Sequence, residues 1–408
     1  MKDSLEEILS DESWTFIREH RSDDVRQLAL QANRYSGVDM AQALQQIAGW
    51  QAARTKLPEW AAVEDICYPP HISLEQCSSE LTAKYKASLL QHETAKNDVF
   101  IDLTGGFGVD FSYMSRGFQR AVYVEQQPYL CVTAKHNFQR LGLDNSEVVC
   151  GDGTAYLQQL PSAPKERTCI FLDPARRDLH GRKTYAIGDC TPDVAALKDV
   201  LREKADTVVI KLSPMLDWHK AMEELAPVSE VHIVSVNNEC KEMVIVIGNS
   251  DRTTPRVVCV NISPDGTTDR QEFSVTTSAA APIASPPRPE QYLYEPNASI
   301  MKAGCFAEIA KQFEVQAVGQ DSHLFVSDRL VADFPGRKFQ ISAVSTMNKK
   351  QLKTALQGLT KANITVRNFP LSVAELRKRL KLADGGETYL FATTSGDKEH
   401  LLLFTRKA

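Results

Sequence analysis

No apolar run in the 408 residues reaches the roughly 18 that a membrane-spanning helix needs, and no apolar segment follows Met1 as in a secretory leader. The opening MKDSLEEILSDESWTFIREH is instead charged and amphipathic, so the reading is of a cytoplasmic chain with no membrane partner. Nine cysteines are scattered at 67, 77, 131, 150, 169, 190, 240, 259 and 305 without a CxxC pair. That excludes a zinc knuckle or dithiol redox motif, and no metal is expected. No internal repeat is evident, which removes a solenoid. With 20 Gly and 19 Pro, collagen-like and low-complexity chains are excluded as well. What remains is 43% hydrophobic and 24% charged residues in a length suited to two or three globular domains.

A net charge of −5 marks no nucleic-acid partner by itself. It hides an asymmetry, however. Residues 1–100 carry 10 Lys/Arg against 16 Asp/Glu, and residues 331–408 carry 14 against 6. A basic end on an acidic chain can anchor a polyanion locally, because phosphates respond to the nearby field. Chance clustering on a solvated surface is the competing reading.

The first hundred residues have helical spacing: Val25, Leu28, Ala29, Ala32, then Met40, Ala43, Leu44, Ile47, Ala48. Asp23 or Asp24 caps the first run, and Trp14, Trp50 and Trp60 are expected to knit a bundle. From 97 to 248 short apolar runs alternate with helical segments: DVFIDL (98–103), AVYVE (121–125), EVVC (147–150), CIFLD (169–173) and TVVIKLS (207–213). Runs buried on both faces and separated by helices describe a mostly parallel sheet. Thr191 is expected to cap the helix before the fifth strand, with Pro192 in its first turn. EVHIVSV (230–236) and EMVIVIG (242–248) stand too close for a helical crossover, so they should form an antiparallel hairpin. Beyond 250 the pattern loosens into a Pro-rich connection at 277–297. A helix over ASIMKAGCFAEIAKQF and a small α+β unit follow.

Chemistry gathers at the predicted strand ends. Asp102 is delivered by the first strand and followed by Thr104, Gly105, Gly106 and Gly108, where the backbone can turn close to a ligand. Glu125 ends the second strand, where a carboxylate can accept both hydroxyls of an adenosine ribose. Asp152 follows the third, as an acceptor for an adenine amine or simply as a turn former. Asp173-Pro174 ends the fourth, at the carboxyl edge where open α/β sheets carry ligands. A dinucleotide brings a pyrophosphate onto a GxGxxG turn, but this turn is GGxG followed by Val109 and Asp110, and an acid there would repel phosphate. S-adenosylmethionine (SAM) has no phosphate, and its sulfonium and ammonium suit nearby carboxylates.

On DLTGGFGVD (102–110), VYVE (122–125), GD (151–152), LDPARR (172–177), the hairpin at 230–248, SLEQCSSELTAKYKA (73–87) and YLYEPNASIMKAG (292–304), the chain resembles the class I SAM-dependent methyltransferases. More narrowly, it resembles the bacterial family that adds a THUMP-like C-terminal region. The resemblance implies an α/β fold with a seven-stranded, Rossmann-like methyltransferase sheet ending in an antiparallel hairpin. The implied division is a helical domain (1–92), a methyltransferase domain (93–250), a linker and first part of an α+β region (251–330), and a THUMP-like basic domain (331–408). It assigns SAM to Asp102, Thr104, Gly105, Gly106, Gly108, Glu125 and Asp152, and the acceptor side to Asp173 and Pro174. Amino-group methyltransferases commonly carry (D/N)PP(Y/F/W), whereas this chain has Asp173-Pro174-Ala175-Arg176 and lacks both the second proline and the stacking aromatic. No cysteine nucleophile stands beside the fifth strand, so covalent uridine methylation is unsupported.

For the acceptor, Arg176, Arg177, Arg182 and Lys183 crowd one loop with His180, and Gly181 would let that loop bend. Arg377, Lys378, Arg379 and Lys381 in LRKRLKL (376–382) give a short helix one basic face. Both clusters suit phosphate contacts, and THUMP-like regions accompany RNA-modifying enzymes. The expected acceptor is therefore structured RNA, tRNA or rRNA, with no DNA preference. A protein or small-molecule methyltransferase, and a non-catalytic RNA-binding protein keeping the fold, are the alternatives.

Overall fold

The computed structural model describes residues 9–90, 98–162, 167–176, 187–248, 255–274 and 280–408. The chain divides into two compact units, residues 1–231 with 242–252 and residues 232–241 with 253–408.

The first unit is built on parallel strands β1 (Val99–Asp102), β2 (Arg120–Glu125), β3 (Ser146–Cys150) and β4 (Thr168–Leu172). A short pair follows, β5 (Ala175–Arg176) and β6 (Cys190–Thr191), and then β7 (Thr207–Leu212). All four residues of β1 and all five of β4 are buried, as their unbroken apolar runs require. β1 lies between β2 and β4 in parallel register, with Asp102 opposite Tyr123 and Phe171. Chain direction then reverses. β8 (Glu230–Val236) and β9 (Glu239–Gly248) are joined at Asn237 and Asn238, whose φ of 49° and 61° put both in the left-handed region of a tight hairpin turn. β9 runs antiparallel to β7.

The sheet holds nine strands, not the seven expected, in the order β11-β10-β8-β9-β7-β4-β1-β2-β3. The additional strands are β10 (Arg256–Ile262) and β11 (Thr268–Ser274), an antiparallel pair within residues 253–408, in the stretch read as loose. β11, Thr-Asp-Arg-Gln-Glu-Phe-Ser, buries only Phe273 fully, so its sequence carries almost no hydrophobic signal. It is an edge strand, and polar side chains are what such an edge tolerates.

Helices follow the strands with legible starts. Helix 128–140 has Pro128 in its first turn, and Asp152 caps helix 153–159. Helix 194–204 is capped by Asp193, which accepts from the Ala196 amide at 3.1 Å; Thr191, expected as the cap, lies in β6. Residues 9–90 form six α-helices, the longest Met40–Lys56, and one 3-10 turn at Ala32–Arg34 in the same unit. Trp14 and Trp50 belong to that helical layer: Trp14 packs in the cluster around Phe16, Ile17 and Ile47, and the Trp50 indole donates to Ala61 O at 3.0 Å. Trp60 does something else. It is fully buried, packs with its ring centroid 4.9 Å from that of Phe107 in the glycine turn, and donates to Ser112 Oγ at 3.2 Å.

The second unit holds a seven-stranded sheet made of β12 (Tyr292–Pro296), β13 (Gln316–Ala317), β14 (Phe325–Ser327), β15 (Gly336–Ser345), β16 (Asn363–Arg367), β17 (Tyr389–Thr394) and β18 (His400–Lys407), ordered β13-β14-β12-β15-β18-β17-β16. Leu293, Phe339, Ile341, Phe391, Leu401 and Leu403 form its core. Gly336 is required where β15 meets β12, since a Cβ would stand 2.1 Å from Glu295 O. The single helix expected over 298–313 is two, Ala298–Ala303 and Phe306–Gln312, broken by left-handed Gly304 at φ 73°.

Candidate cofactor and acceptor site

The carboxyl ends of β1, β2 and β4 are tied together by hydrogen bonds that the glycine turn makes possible. Gly106 and Gly108 take φ of 59° and 83°. A Cβ on Gly105 would strike the Tyr123 ring at 2.5 Å. Asp102 Oδ1 accepts from the Thr104 amide at 2.9 Å and the Thr104 hydroxyl at 3.2 Å. Thr104 Oγ1 in turn accepts from the Asp173 amide at 2.7 Å. Glu125 is buried and uses both oxygens, accepting from the Gly106 amide and from the Gln127 amide, each at 2.8 Å. The Tyr123 hydroxyl donates to Gly106 O. Five of the residues singled out in the sequence thus stand along one rim in two hydrogen-bonded sets, Asp102–Thr104–Asp173 and Gly106–Glu125, joined by the backbone of 104–106.

Asp152 sits at the neighbouring strand end and is exposed. Its Oδ1 caps the following helix by accepting from the Ala155 amide at 2.8 Å, and its Oδ2 accepts from Gln126 Nε2 at 3.2 Å. The local turn-forming reading of Asp152 is therefore realised in the geometry, and Oδ2 lies beside Gln126 at the rim.

Within the rim, Asp102 has acids for neighbours. Burial, reinforced by the charges of Asp110 and Asp173, pushes the Asp102 carboxyl up to about 8, against the pull of the Thr104 hydrogen bonds. A cationic ligand beside Asp102 would relieve that destabilised charge.

Behind the rim lies a buried ionic network. Lys86 is completely buried; its Nζ meets Asp110 Oδ1 at 3.1 Å and pairs with Glu242. The Ser78 hydroxyl donates to Asp110 Oδ2 at 2.7 Å. Burial alone would raise Asp110, but Lys86, and after it Lys211 and Ser78, hold its carboxyl below the ordinary range. The expectation that Asp110 would present repulsive charge to a phosphate is thereby corrected: its charge is turned inward and neutralised. Lys211 stands on β7 with its Nζ 2.6 Å from Asp173 Oδ2 and 3.8 Å from Asp110 Oδ2. Sequence reasoning passed over Lys86, Lys211 and Glu242. The available signal was Lys211 itself, a lone cation inside the apolar strand Thr-Val-Val-Ile-Lys-Leu.

On the acceptor side, 40% of the Asp173 side chain is exposed, and Pro174 next to it is buried. The backbone of Ala175 and Arg176 forms β5, paired antiparallel with Cys190 and Thr191. Arg177, Arg182 and Lys183, with His180 and Gly181, lie outside the described residues. In the second unit, helix Val373–Leu380 is closed by a capping box between Ser372 and Glu375. Leu376, Leu380 and Leu382 are buried in its core. Lys378, Arg379 and Lys381 are exposed, and no hydrogen bond or ion pair engages their side chains among the described residues. Arg377 is committed otherwise, donating to Asp384 Oδ1 at 2.5 Å and Ala362 O at 3.4 Å. Among the described residues no helix is long and apolar enough to cross a membrane.

Comparison with known proteins places this geometry in a context. Three family models match the chain: Conserved hypothetical protein 95 over residues 86–186, a ferredoxin-like domain over 292–335, and a THUMP domain-like region over 336–407. The crystal structure of a "putative methyltransferase from Porphyromonas gingivalis W83" is similar at 30% identity, with 100% of each chain covered and a TM-score of 0.86. An O-methyltransferase from Bacillus cereus, solved in complex with SAH, is 15% identical over 49% of this chain and 91% of its own, at a TM-score of 0.32. No curated protein matches.

Proposed function

The chain belongs to the bacterial family of class I SAM-dependent methyltransferases with a THUMP-like C-terminal region, and from that premise we propose that it methylates structured RNA, tRNA or rRNA, using SAM. The observation that carries the reading is the rim of Asp102, Thr104, Gly106, Glu125 and Asp173, held together at the carboxyl edge of the sheet. SAM fits the chemistry of that rim: a cation answers the destabilised charge of Asp102, and the ligand brings no phosphate toward the carboxylates. When bound, it supplies an electrophilic methyl group on a sulfonium.

The chain's own residues divide the work. Asp102 and Thr104 with the turn at Gly105, Gly106 and Gly108 hold the methionine end. Glu125, fixed by two backbone amides, takes the ribose hydroxyls with its remaining lone pairs. Asp152 receives the adenine amine. Asp173 faces the acceptor, its backbone fixed by Thr104, and Pro174 keeps the turn rigid. Arg176, Arg177, Arg182 and Lys183 contact phosphates near the acceptor, and Arg377, Lys378, Arg379 and Lys381 contact them on the basic helix. RNA is favoured over a protein or small molecule by three exposed cations on that helix and at its C-cap, unengaged among the described residues, in a region of THUMP-like sequence.

The test is transfer of labelled methyl from SAM into total RNA, run beside Asp173→Asn. The variant is expected to bind SAM as the wild type does and to lose most of the transfer rate, the mark of an interaction made in the transition state. Label appearing only in protein or small molecules would replace RNA as the acceptor. Full turnover by D173N would demote Asp173 to a structural residue.

A further inference from the structure

The last link between β1 and β4 is made by a side chain, and the same side chain serves the cofactor acid. Resting on the reading of this rim as a SAM site, we propose that Thr104 is a positioning residue that couples the two halves of the site. Its hydroxyl is held by Asp102 on the cofactor side and holds the Asp173 amide on the acceptor side, so that SAM fixes Asp173 for transfer.

Backbone pairing of β1 with β4 stops early. The Leu103 amide donates to Phe171 O at 3.0 Å, and a parallel ladder would next carry the Asp173 amide to the Leu103 carbonyl. That carbonyl lies instead against Gly153, where a Cβ would stand 2.0 Å from it. The Asp173 amide goes to Thr104 Oγ1 at 2.7 Å. The turn after β4 is therefore hung on a hydroxyl that rotates about one bond, in place of a further backbone link.

The direction of each bond follows from the groups. An amide N–H only donates, so Thr104 Oγ1 accepts from Asp173. The hydroxyl proton then has one partner among the described residues, Asp102 Oδ1 at 3.2 Å. That oxygen also takes the Thr104 amide at 2.9 Å. Asp102 Oδ2 accepts no hydrogen bond among the described residues and is left for the ligand.

Hydrogen bonds in series polarise one another, and one that ends on an ionised carboxylate is about twice as strong as a neutral pair. Burial, and after it the charges of Asp110 and Asp173, press Asp102 toward its neutral form. A cation at Oδ2 opposes that pressure. With Asp102 ionised, the Thr104 proton is drawn toward it and Oγ1 becomes a stronger acceptor for the Asp173 amide. SAM thereby tightens the turn that carries Asp173. By reciprocity, an acceptor that fixes Asp173 raises the affinity for SAM by the same factor. The hydroxyl at 104 is what the coupling needs. Serine would supply it, and valine, with nearly the volume of threonine, would not.

Two measurements decide it. First, hydrogen exchange of segment 169–173 is followed by mass spectrometry with and without SAM in the wild type, Thr104→Val and Thr104→Ser. Asp173 is the last exchanging amide before Pro174, so fragments ending at 172 and at 173 isolate it. In the wild type and T104S, SAM should slow this amide by roughly three- to tenfold. In T104V it should exchange faster and take no notice of SAM, with melting curves confirming that both variants fold. Equal exchange in T104V and the wild type overturns the hydroxyl as the holder of Asp173, and equal protection by SAM in all three proteins overturns the coupling. If the wild type binds no SAM in a calorimeter, the cofactor reading falls and the coupling with it.

Second, methyl transfer into total RNA is measured at saturating SAM. T104V is expected to lose rate by on the order of ten- to a hundredfold, and T104S to recover most of it. In the background of Asp173→Asn, Thr104→Val should cost nothing further, because both act at one point. A full additional loss contradicts action through Asp173. If RNA takes no label, RNA falls as the acceptor and the exchange measurement decides alone.

Discussion

Charge is handled in opposite ways by the two regions argued to serve function. At the β1–β4 edge of the first unit, Lys86, Asp110, Lys211 and Glu242 are taken out of water and paired with one another. On helix 373–380 of the second unit Lys378 and Arg379, and at its left-handed C-cap Lys381, stand in solvent and are paired with nothing described. Buried charges fix positions, because each one left unpaired is costly. Exposed ones act through a screened field and are individually expendable. The first arrangement suits a reaction centre and the second a polyanion surface, so substitutions should have large, local effects in one and small, additive, salt-dependent effects in the other.

The largest effect is expected at Lys86. Lys86→Met would leave Asp110 and Glu242 facing each other without their shared cation; breaking a buried pair by removing one partner costs about 3–5 kcal/mol. Urea denaturation should show a correspondingly lower midpoint. A midpoint unchanged from the wild type would mean that water reaches the network.

That network was also the part of the site least visible in the sequence. Lys86, Asp110, Lys211 and Glu242 come from a helix before β1, the helix after the glycine turn, β7 and β9, and no local spacing links them. By contrast, β1, β2, β4 and β7 were legible to within a residue or so, because strands buried on both faces must be continuous apolar runs, and the edge strand β3 was legible from its Val148-Val149 pair although none of it is fully buried. Asp102, Glu125 and Asp173 were legible for the same reason: a carboxylate ending such a run stands out. β11 was missed because an edge strand needs no apolar face. The helix start at 194 was misplaced because Thr191 and Asp193 are both competent caps, and only the tertiary path of β6 chooses between them.

Next in size is Glu125→Ala. Loss of hydrogen bonds to a charged, buried partner is worth roughly 1.5–3 kcal/mol, a ten- to hundredfold loss of SAM affinity by calorimetry. Part of that loss would come from release of the Gly106 amide. Unchanged affinity would leave Glu125 as a brace for the turn alone.

Asp102 should impose a pH dependence. Its carboxyl is raised to about 8 in the folded protein, so between its ordinary range and pH 8 the fold binds a proton that the unfolded chain releases. Its contribution to stability is therefore present at low pH and is lost as pH rises toward 8. A cationic ligand favours the ionised form. SAM affinity should accordingly rise with pH by up to about tenfold per unit below 8 and then level off. Binding should also release a proton, visible as a dependence of the calorimetric heat on the buffer. In Asp102→Asn the pH dependence should vanish.

The smallest effects belong to the basic helix. Changing Arg377, Lys378, Arg379 and Lys381 together to Gln should weaken RNA binding and flatten its log–log salt dependence by about 0.7–0.9 for each phosphate no longer neutralised. SAM affinity should stay as it was. Because Arg377 is engaged with Asp384, restoring it alone should recover less than restoring Lys378 or Arg379.

Titrating the purified protein with SAM and, separately, with NADH in a calorimeter decides whether the rim around Asp102 and Glu125 is a SAM site. Saturable, micromolar binding of SAM and no heat from NADH are expected. Saturable binding of NADH with none of SAM would contradict that assignment.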